Sequence, residues 1–481
     1  MVYFFTYLIY FYASALALFY LALMIMSYFN TLRYRYRYTK KEEEYLKKYP
    51  DEAPGISIVA PAFNEEVIII DSVHSLLSLA YPNFEVIIVN DGSKDRTLEL
   101  MEEEFELEEV PYYYVYKVYC QPMKRILRSK NPLYKKLIVV DKENGGTKAD
   151  AMNAGVNVAQ FNYFINTDVD CILATDTLSK IILPVLDSDK QVIAVGATMR
   201  MVNSCTIDKG RITRVKPPNR IIPLFQETEY LRSYLVAKMG WSLINAIPNV
   251  SGGFGLFDTG VVIGAGGFDS DSHAEDMDMT TRMVAYMREN RKPYRIVQCP
   301  YSLCWTEGPP NLKVLNRQRT RWGRGMLQFI LDHRRFLFNK DYGRLGFVVM
   351  PYILLFEFLA PIIEFVGFFF LLFLLITSQI NFDTFWMMVL YAYLIGLSVS
   401  IITISYDLVL GKLYKRFWEY MKLVLFSAFE AILYHPLVVI FTLRGYVQYL
   451  TRSNFKWGQM TRQGFSPSNK VNNNVSNAKE I

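Results

Sequence analysis

The chain has 481 residues, 52% of them hydrophobic and 20% charged, with a mean hydropathy of +0.12. This balance excludes a disordered chain and a small disulfide scaffold, and it is too apolar for an ordinary soluble enzyme. A net charge of +6 from 52 basic and 46 acidic residues does not point to nucleic acid. The five cysteines, Cys120, Cys171, Cys205, Cys299 and Cys304, contain no CxxC pair and read as reduced, cytosolic and structural.

Residues 2–29 carry no charge and are long enough to span a bilayer as a tilted helix. A cleaved signal peptide fits poorly, because a basic start and a small-residue cleavage site are both missing. Arg33, Arg35, Arg37, Lys40 and Lys41 follow, which places what comes next in the cytoplasm and the N-terminus outside. From about 55 to 311, apolar runs alternate with amphipathic stretches. Strands are expected at 56–62, 84–90, 112–119, 137–140, 163–167, 192–199 and 295–298, and helices at 65–79, 95–109, 147–159, 176–187, 226–239 and 275–289. Wholly apolar runs such as 86–89 predict strands covered on both faces, hence an α/β domain with a mostly parallel sheet. Acidic 102–109 and basic 117–136 read as solvated faces.

A second apolar block, 345–380, is interrupted by Pro351 and Pro361 and predicts an interfacial turn followed by one span. Residues 381–384 form a short outer loop, and 385–406 return to Lys412, Lys415 and Arg416 on the cytosolic side. The last block, 423–450, contains Glu430, His435, Pro436 and Arg444, so a hairpin or a pair of interfacial helices is expected in place of one clean span. Arg452, Lys456 and Arg462 keep the tail cytosolic. The expected division is a span at 1–30, a linker at 31–54, the α/β domain at 55–310, basic amphipathic interfacial helices at 311–344, membrane helices at 345–450 and a polar tail at 451–481.

In an open parallel sheet, ligands bind beyond the carboxyl ends of the strands. Three expected strands end in polar clusters: Phe63, Asn64, Glu65 and Glu66; Asp91, Gly92 and Ser93; Asp168, Val169 and Asp170. Any one of these is ordinary turn and helix-cap chemistry. Three on one sheet favour a shared site. Asp168 and Asp170 flank a single residue in an extended segment, so both carboxylates face one side, and two hard oxygen donors suit Mg²⁺ or Mn²⁺. Gly145, Gly146, Thr147 and Lys148 lack Walker A spacing, which argues against an ATPase or GTPase, and Gly264, Gly266 and Gly267 do not complete GxGxxG. His333 and His74 read as surface residues. Glu357 and Glu364 lie seven residues apart in a membrane block, on one helical face, where carboxylates normally meet protein or water. A polar groove for an outgoing polymer is one reading of this pair; snorkelling of Glu357 and a packed polar contact of Glu364 are the others.

The segments Pro61-Ala-Phe-Asn-Glu-Glu66, Asn90-Asp-Gly-Ser93, Gly146-Thr-Lys-Ala-Asp-Ala-Met-Asn-Ala-Gly155, Asp168-Val-Asp170, His273-Ala-Glu-Asp276 and Gln318-Arg-Thr-Arg-Trp322 resemble, in order, the motifs of membrane-integrated processive family 2 glycosyltransferases, among them cellulose, chitin, hyaluronan and poly-β-1,6-N-acetylglucosamine synthases. The resemblance runs from about 56 to 450. It implies a cytosolic GT-A, Rossmann-like catalytic domain inserted between transmembrane helices of a multi-pass protein of the cell membrane. It implies that Asp91 contacts the uracil or ribose of a UDP-sugar in a pocket shaped by the loop containing Glu65, that Asp168 and Asp170 hold the diphosphate through Mg²⁺ or Mn²⁺, and that Lys148 adds a point charge there. Asp276, beside Glu275, becomes the base that takes the acceptor hydroxyl proton, with inversion to a β-linkage. Both acids also suit the first turn of a helix for dipole reasons alone.

Gln318, Arg319, Arg321 and Trp322 lie on a basic helix that fits a membrane surface and, by resemblance, closes over diphosphate and acceptor. The segment Ser251-Gly-Gly-Phe-Gly-Leu-Phe257 resembles the one that receives the polymer end, with Gly252 and Gly253 in place; Gly253 is a departure from the Ala or Cys of most relatives. The implied activity is polymerisation of sugar from a UDP-sugar, N-acetylglucosamine by resemblance, into a β-linked exopolysaccharide moved across the membrane. The alternative is transfer of a single sugar to a lipid-linked acceptor. The partners implied are the donor, the growing chain or lipid-linked acceptor, membrane lipids, and accessory export or modification subunits, with no nucleic acid.

Overall fold

The computed structural model describes residues 2–37, 44–46, 48–208 and 210–452. Lys40, Lys41, Lys456, Arg462 and the tail beyond 452 lie outside the described residues. Four parallel strands form one half of a central sheet: β1 (Ile56–Ala62), β2 (Phe84–Asp91), β5 (Leu137–Lys142) and β6 (Tyr163–Thr167). They are buried almost throughout, as their apolar runs require. The helices α2 (Ile69–Leu77), α3 (Thr97–Glu104) and α4 (Lys148–Val158) make the crossovers. In the other half, β11 (Phe254–Asp258) lies antiparallel between β6 and β8 (Gln191–Met201), and β12 (Tyr294–Thr306) runs parallel to β8. With β3 (Leu107–Glu109), β4 (Met123–Ser129) and β7 (Ile172–Leu173), the ten-stranded order is β3-β4-β5-β2-β1-β6-β11-β8-β12-β7. A separate ribbon joins β9 (Thr206–Asp208) to β10 (Arg211–Arg214). The expected α/β class stands.

Two expectations fail in the same region. Residues 112–119 are not a strand; their backbone is held by side chains of α4, with Asn157 accepting from Lys117 N at 2.8 Å and donating to Val118 O at 2.8 Å, and Asn153 donating to Tyr119 O at 2.8 Å. The strand lies further on, as β4, inside the basic stretch read as a solvated face, where Ile126 and Leu127 are buried between charged neighbours. The acidic helix stops at Glu104, and Glu106 at φ 50° turns the chain into β3.

Further along the domain come α5 (Thr177–Leu186), α6 (Ile221–Leu231), a π-helical continuation of α6 at Arg232–Lys238, α7 (Met239–Leu243), α8 (Thr259–Gly264), α9 (Glu275–Glu289) and α10 (Leu312–Asp332). Helix α1 (Val2–Arg37) descends onto this continuation. Ser27 Oγ donates to Leu235 O at 2.5 Å and Asn30 to Met239 O at 2.9 Å, and the backbones approach so closely that a Cβ on Gly240 would stand 2.8 Å from Leu23 O.

Among the described residues, three helices are long and apolar enough to cross a membrane: 7–35, 345–376 and 382–410. The expected interfacial turn at Pro351 takes another form. Two π-helical stretches, Leu345–Val349 and Ile353–Phe358, flank Met350–Tyr352, and wider backbone pairing carries the helix past a residue that cannot donate. The spans continue as α11 (Ala360–Ile376) and α12 (Phe382–Leu410). Helices α13 (Phe417–Leu433) and α14 (His435–Leu450) meet at a bend of 50°, so the final block is not one clean span, but neither does it reverse as a hairpin would. Glycines set α10 directly against α14: a Cβ on Gly323 would lie 2.3 Å from Thr442 O, and one on Gly445 2.3 Å from Thr320 O.

Three arginine clusters tie the domain to the membrane helices through α6 and its continuation. Arg200 of β8, fully buried, reaches Glu227 at 2.7 Å, Asp407 of α12 at 2.6 Å and Tyr414 at 2.8 Å. Arg232 binds Glu430 of α13 at 2.6 Å and Ser400 of α12 at 2.9 Å. Arg319 of α10 binds Glu229 at 2.7 and 2.5 Å and Tyr434 at 2.8 Å. Arg200→Met leaves Glu227 and Asp407 buried without their cation, at a cost of about 3–5 kcal/mol. Thermal unfolding of detergent-solubilised protein should show a clear fall in melting temperature; an unchanged midpoint would mean that the cluster does not hold the two parts together.

Candidate active site

The site lies at the carboxyl end of the parallel strands, where the three polar clusters converge. The loop after β1 is laced to the loop after β2: Asn64, at φ 56°, accepts from Lys94 N at 2.8 Å, its own N–H reaches Ser93 Oγ at 3.0 Å, and Glu65 N donates to Thr97 Oγ1 at 2.8 Å. Asp91, at the end of β2, is buried. Its Oδ1 accepts from Lys142 Nζ at 2.6 Å and Gly145 N at 3.0 Å. Lys142, with no exposed surface, also meets Asp150 at 2.5 Å. Burial opposes its charge, yet the two carboxylates win and hold its pKa above the ordinary lysine value.

On the other side, Asp168 and Asp170 follow β6 directly. One donor atom from each, with Cys171 Sγ, falls within 4.8 Å of the others. The carboxylate pair fits a hard divalent ion. Cys171 is less suited to join it, because the neighbouring Cys304 thiol and burial raise its pKa and its Sγ lies 3.8 Å from Gly253 O. Lys148, the first residue of α4, contacts Asp168 and donates to Gly252 O at 2.6 Å. Burial works against its ammonium, but Asp168 and Glu275 outweigh this and raise its pKa.

Gly252 joins the two sides. Its carbonyl also accepts from Asn166 at 2.8 Å, and its N–H donates to Asp276 Oδ2 at 3.1 Å. Asp276 takes a second bond at that oxygen from Asn249 at 2.8 Å and one at Oδ1 from Met277 N at 2.9 Å, which fix its plane at the start of α9. Glu275 lies beside it, its pKa raised by burial and by Asp276. A Cβ on Gly252 would sit 3.1 Å from Glu275 Oε1, and one on Gly253 2.8 Å from Met199 Cε.

A family profile described as Glycosyl transferase family 2 matches residues 57–119 and 120–236, and one described as Glycosyl transferase family group 2 matches 219–399. The chain belongs to glycosyltransferase family 2. It is 27% identical over 333 residues to the poly-β-1,6-N-acetyl-D-glucosamine synthase of Staphylococcus aureus strain COL, covering 68% of this chain and 66% of that protein. The corresponding synthase of Staphylococcus epidermidis is 28% identical over 336 residues, covering 70% of this chain and 68% of that protein. Among solved structures, a mannosyltransferase from Pyrobaculum calidifontis, in complex with GDP-Man and Mn²⁺, superposes with a TM-score of 0.50 at 17% identity, covering 91% of this chain and all of that one. The last likeness shows the shared GT-A fold.

In this glycosyltransferase the expected residues do not all meet. Glu65, Asp91, Lys148, Asp168, Asp170, Gly252, Gly253, Glu275 and Asp276 gather at the strand ends. Gln318 accepts from Gln226 at 3.2 Å, and Arg321 contributes positive charge towards Glu275. Trp322 is 36% exposed. Arg319 is turned away: it is buried against Glu229 and Tyr434 and covers one face of Trp322 with its guanidinium 4.4 Å from the ring centre. His333, expected at the surface, is buried and bonded to Asp278 at 2.9 Å, whereas His74 stays partly exposed beside Glu104. Lys142 and Asn249 were missed by sequence reasoning. Lys142 ends an apolar strand in the same manner as the three polar clusters, and that signal was available. Lys142→Met would strand Asp91 and Asp150 without a cation. We expect destabilisation by about 3–5 kcal/mol, read by thermal unfolding; an unchanged midpoint would mean that Lys142 does not neutralise the two buried carboxylates.

Proposed function

We propose that this glycosyltransferase is a membrane-embedded synthase that extends a β-linked polysaccharide from UDP-N-acetylglucosamine and passes the product outward. The observation that carries the reading is the Gly252 bridge, whose carbonyl holds Lys148 beside the acidic pair while its N–H holds the carboxylate of Asp276. The sugar and the polymer rest on the staphylococcal synthases, whose lengths the chain matches over about two thirds.

In this reading the β1–β2 loop system and Asp91 seat uracil and ribose. Asp168 and Asp170 hold Mg²⁺ or Mn²⁺, which supplies positive charge to the donor diphosphate when bound. Lys148 adds a second cation at the same place, neutralising charge that grows on the leaving UDP. Asp276, oriented by Asn249, Gly252 and Met277, accepts the proton of the acceptor hydroxyl as that oxygen attacks the anomeric carbon. The base lies across from the leaving group, so the product linkage is inverted. Gln318, Arg321 and Trp322 close the site from α10, with Trp322 offering a flat face to a pyranose ring.

The product leaves between the membrane helices. Glu357 is close enough to influence both Lys238 and Asp276 electrostatically, which suits a polar lining below the base. Glu364 instead meets His435 at 2.8 Å, with both side chains partly exposed. The catalytic domain faces the cytosol, by the basic residues after α1.

UDP release by purified protein with a panel of UDP-sugars tests the reading. One sugar should support metal-dependent turnover, and Asp276→Asn should reduce it by about 10²–10⁴-fold while UDP-sugar still binds. Silence across the panel from folded protein would count against it, and products one sugar longer than the acceptor would favour single addition. Asp168→Asn combined with Asp170→Asn should also abolish Mn²⁺ binding in the presence of UDP, followed by electron paramagnetic resonance; retained Mn²⁺ would remove both residues from the metal site.

A further inference from the structure

Lys238 closes the π-helical continuation of α6 and is only 7% exposed. Among the described residues its ammonium has no hydrogen bond or ion pair; what it meets is the ring of Tyr234, 4.8 Å from the centroid. An ammonium carries three donors, and hiding it from water without acceptors is costly. One ring face offsets only part of that cost. Two carboxylates influence it without contact, Asp276 from α9 and Glu357 from the membrane block. Lys238 is therefore within electrostatic reach of both the proposed base and the first carboxylate of the proposed exit path. Tyr234 ties it to the site, because its hydroxyl lies close enough to Ser251, the residue before Gly252, to feel that side chain.

On this basis, and resting on the synthase reading above, we propose that Lys238 is an acceptor-binding residue whose ammonium donates to oxygen atoms of the sugar at the end of the growing chain, just below Asp276. The local charge balance selects the ligand class. One cation between two carboxylates leaves a net negative neighbourhood, which repels phosphate and suits a neutral, polyhydroxylated ring whose oxygens satisfy the stranded donors. A sugar held there has its free hydroxyl within the zone of the base, so Lys238 acts on acceptor affinity and leaves the donor half to Asp91, Lys148 and Asp168.

The ionisation of Lys238 adds a signature that a merely structural residue lacks. Burial lowers its pKa to about 8, with Asp276 and Glu357 partly opposing the shift. The charged form is therefore present below that pH and is lost as pH rises through it. The groups facing it are those two carboxylates and, from its own helix, the Tyr234 ring.

The test uses full-length protein in detergent, UDP-N-acetylglucosamine as donor and a short β-linked N-acetylglucosamine oligosaccharide as acceptor. Lys238→Met should raise the acceptor KM by about 10- to 100-fold, with a smaller change in kcat and unchanged UDP affinity by calorimetry. Lys238→Arg should restore acceptor affinity. In the wild type the acceptor KM should rise above about pH 8, and in Lys238→Arg it should stay flat, because guanidinium remains charged there. An unchanged acceptor KM in Lys238→Met, or joint loss of UDP affinity and activity without rescue by arginine, would overturn the assignment while leaving the synthase reading in place. Absence of transfer by the wild type from any UDP-sugar would instead remove the reading on which the assignment rests.

Discussion

One residue, Gly252, holds the catalytic end of this protein together through its two backbone polar groups. The Gly252 carbonyl takes Lys148 and Asn166 while its N–H goes to Asp276, so elements separated by more than a hundred residues of chain meet at a single residue. Lys148 is in turn bound to Asp168. The position of the acidic pair after β6 and that of the acid at the start of α9 are therefore not independent. Backbone dipoles fixed in a largely buried site reorganise little, which is what stabilisation of developing charge requires. A Cβ at Gly252 would approach Glu275 Oε1 to 3.1 Å, so a side chain there would have to shift that carboxylate.

The same economy governs the joint with the membrane. Helix α6 and its π-helical extension present Glu227, Glu229 and Arg232: Glu227 binds Arg200 of β8, which also holds Asp407 of α12, Glu229 binds Arg319 of α10, and Arg232 binds Glu430 of α13. Such buried pairs contribute modest net stability but penalise every misaligned arrangement, because a displaced partner leaves a charge unpaired. The close backbone contact of α10 with α14 at Gly323 and Gly445 adds a steric constraint of short range. Together these features fix the helix carrying Gln318, Arg321 and Trp322 relative to both the sheet and the membrane. Arg319 serves this joint, which explains why it faces Glu229 and Tyr434 and not the strand ends.

Much of this was legible along the chain. The parallel strands β1, β2, β5 and β6 announce themselves by unbroken apolar runs, and their polar ends mark the site, because a doubly covered strand must be apolar and a ligand can only be met where it stops. Helix α9 matches its expected bounds, since its acids and amphipathic spacing are local signals. Where the outcome was decided by distant partners, local signals misled. Residues 112–119 have strand composition but spend their backbone bonds on Asn153 and Asn157. β4 hides two buried residues among charges, and β11, flanked by glycines, carries no alternation. His333 looks like a surface residue because Asp278, its partner, is 55 residues away in the chain.

By itself, then, the amino-acid order determined the class of fold, the apolar spans, the strand ends where chemistry gathers and the carboxylate pair suited to a divalent ion. These follow from hydrophobic periodicity and residue type, which act over a few residues at a time. Only the tertiary structure decided which charges are paired and which are not: that Lys142 is spent on Asp91 and Asp150, that Arg319 belongs to the membrane joint, and that Lys238 is buried within reach of Asp276 and Glu357 without an ion pair among the described residues. The physical reason is that the free energy of a charge depends on its burial and on neighbours brought in from remote parts of the chain, and neither is written in the residues beside it.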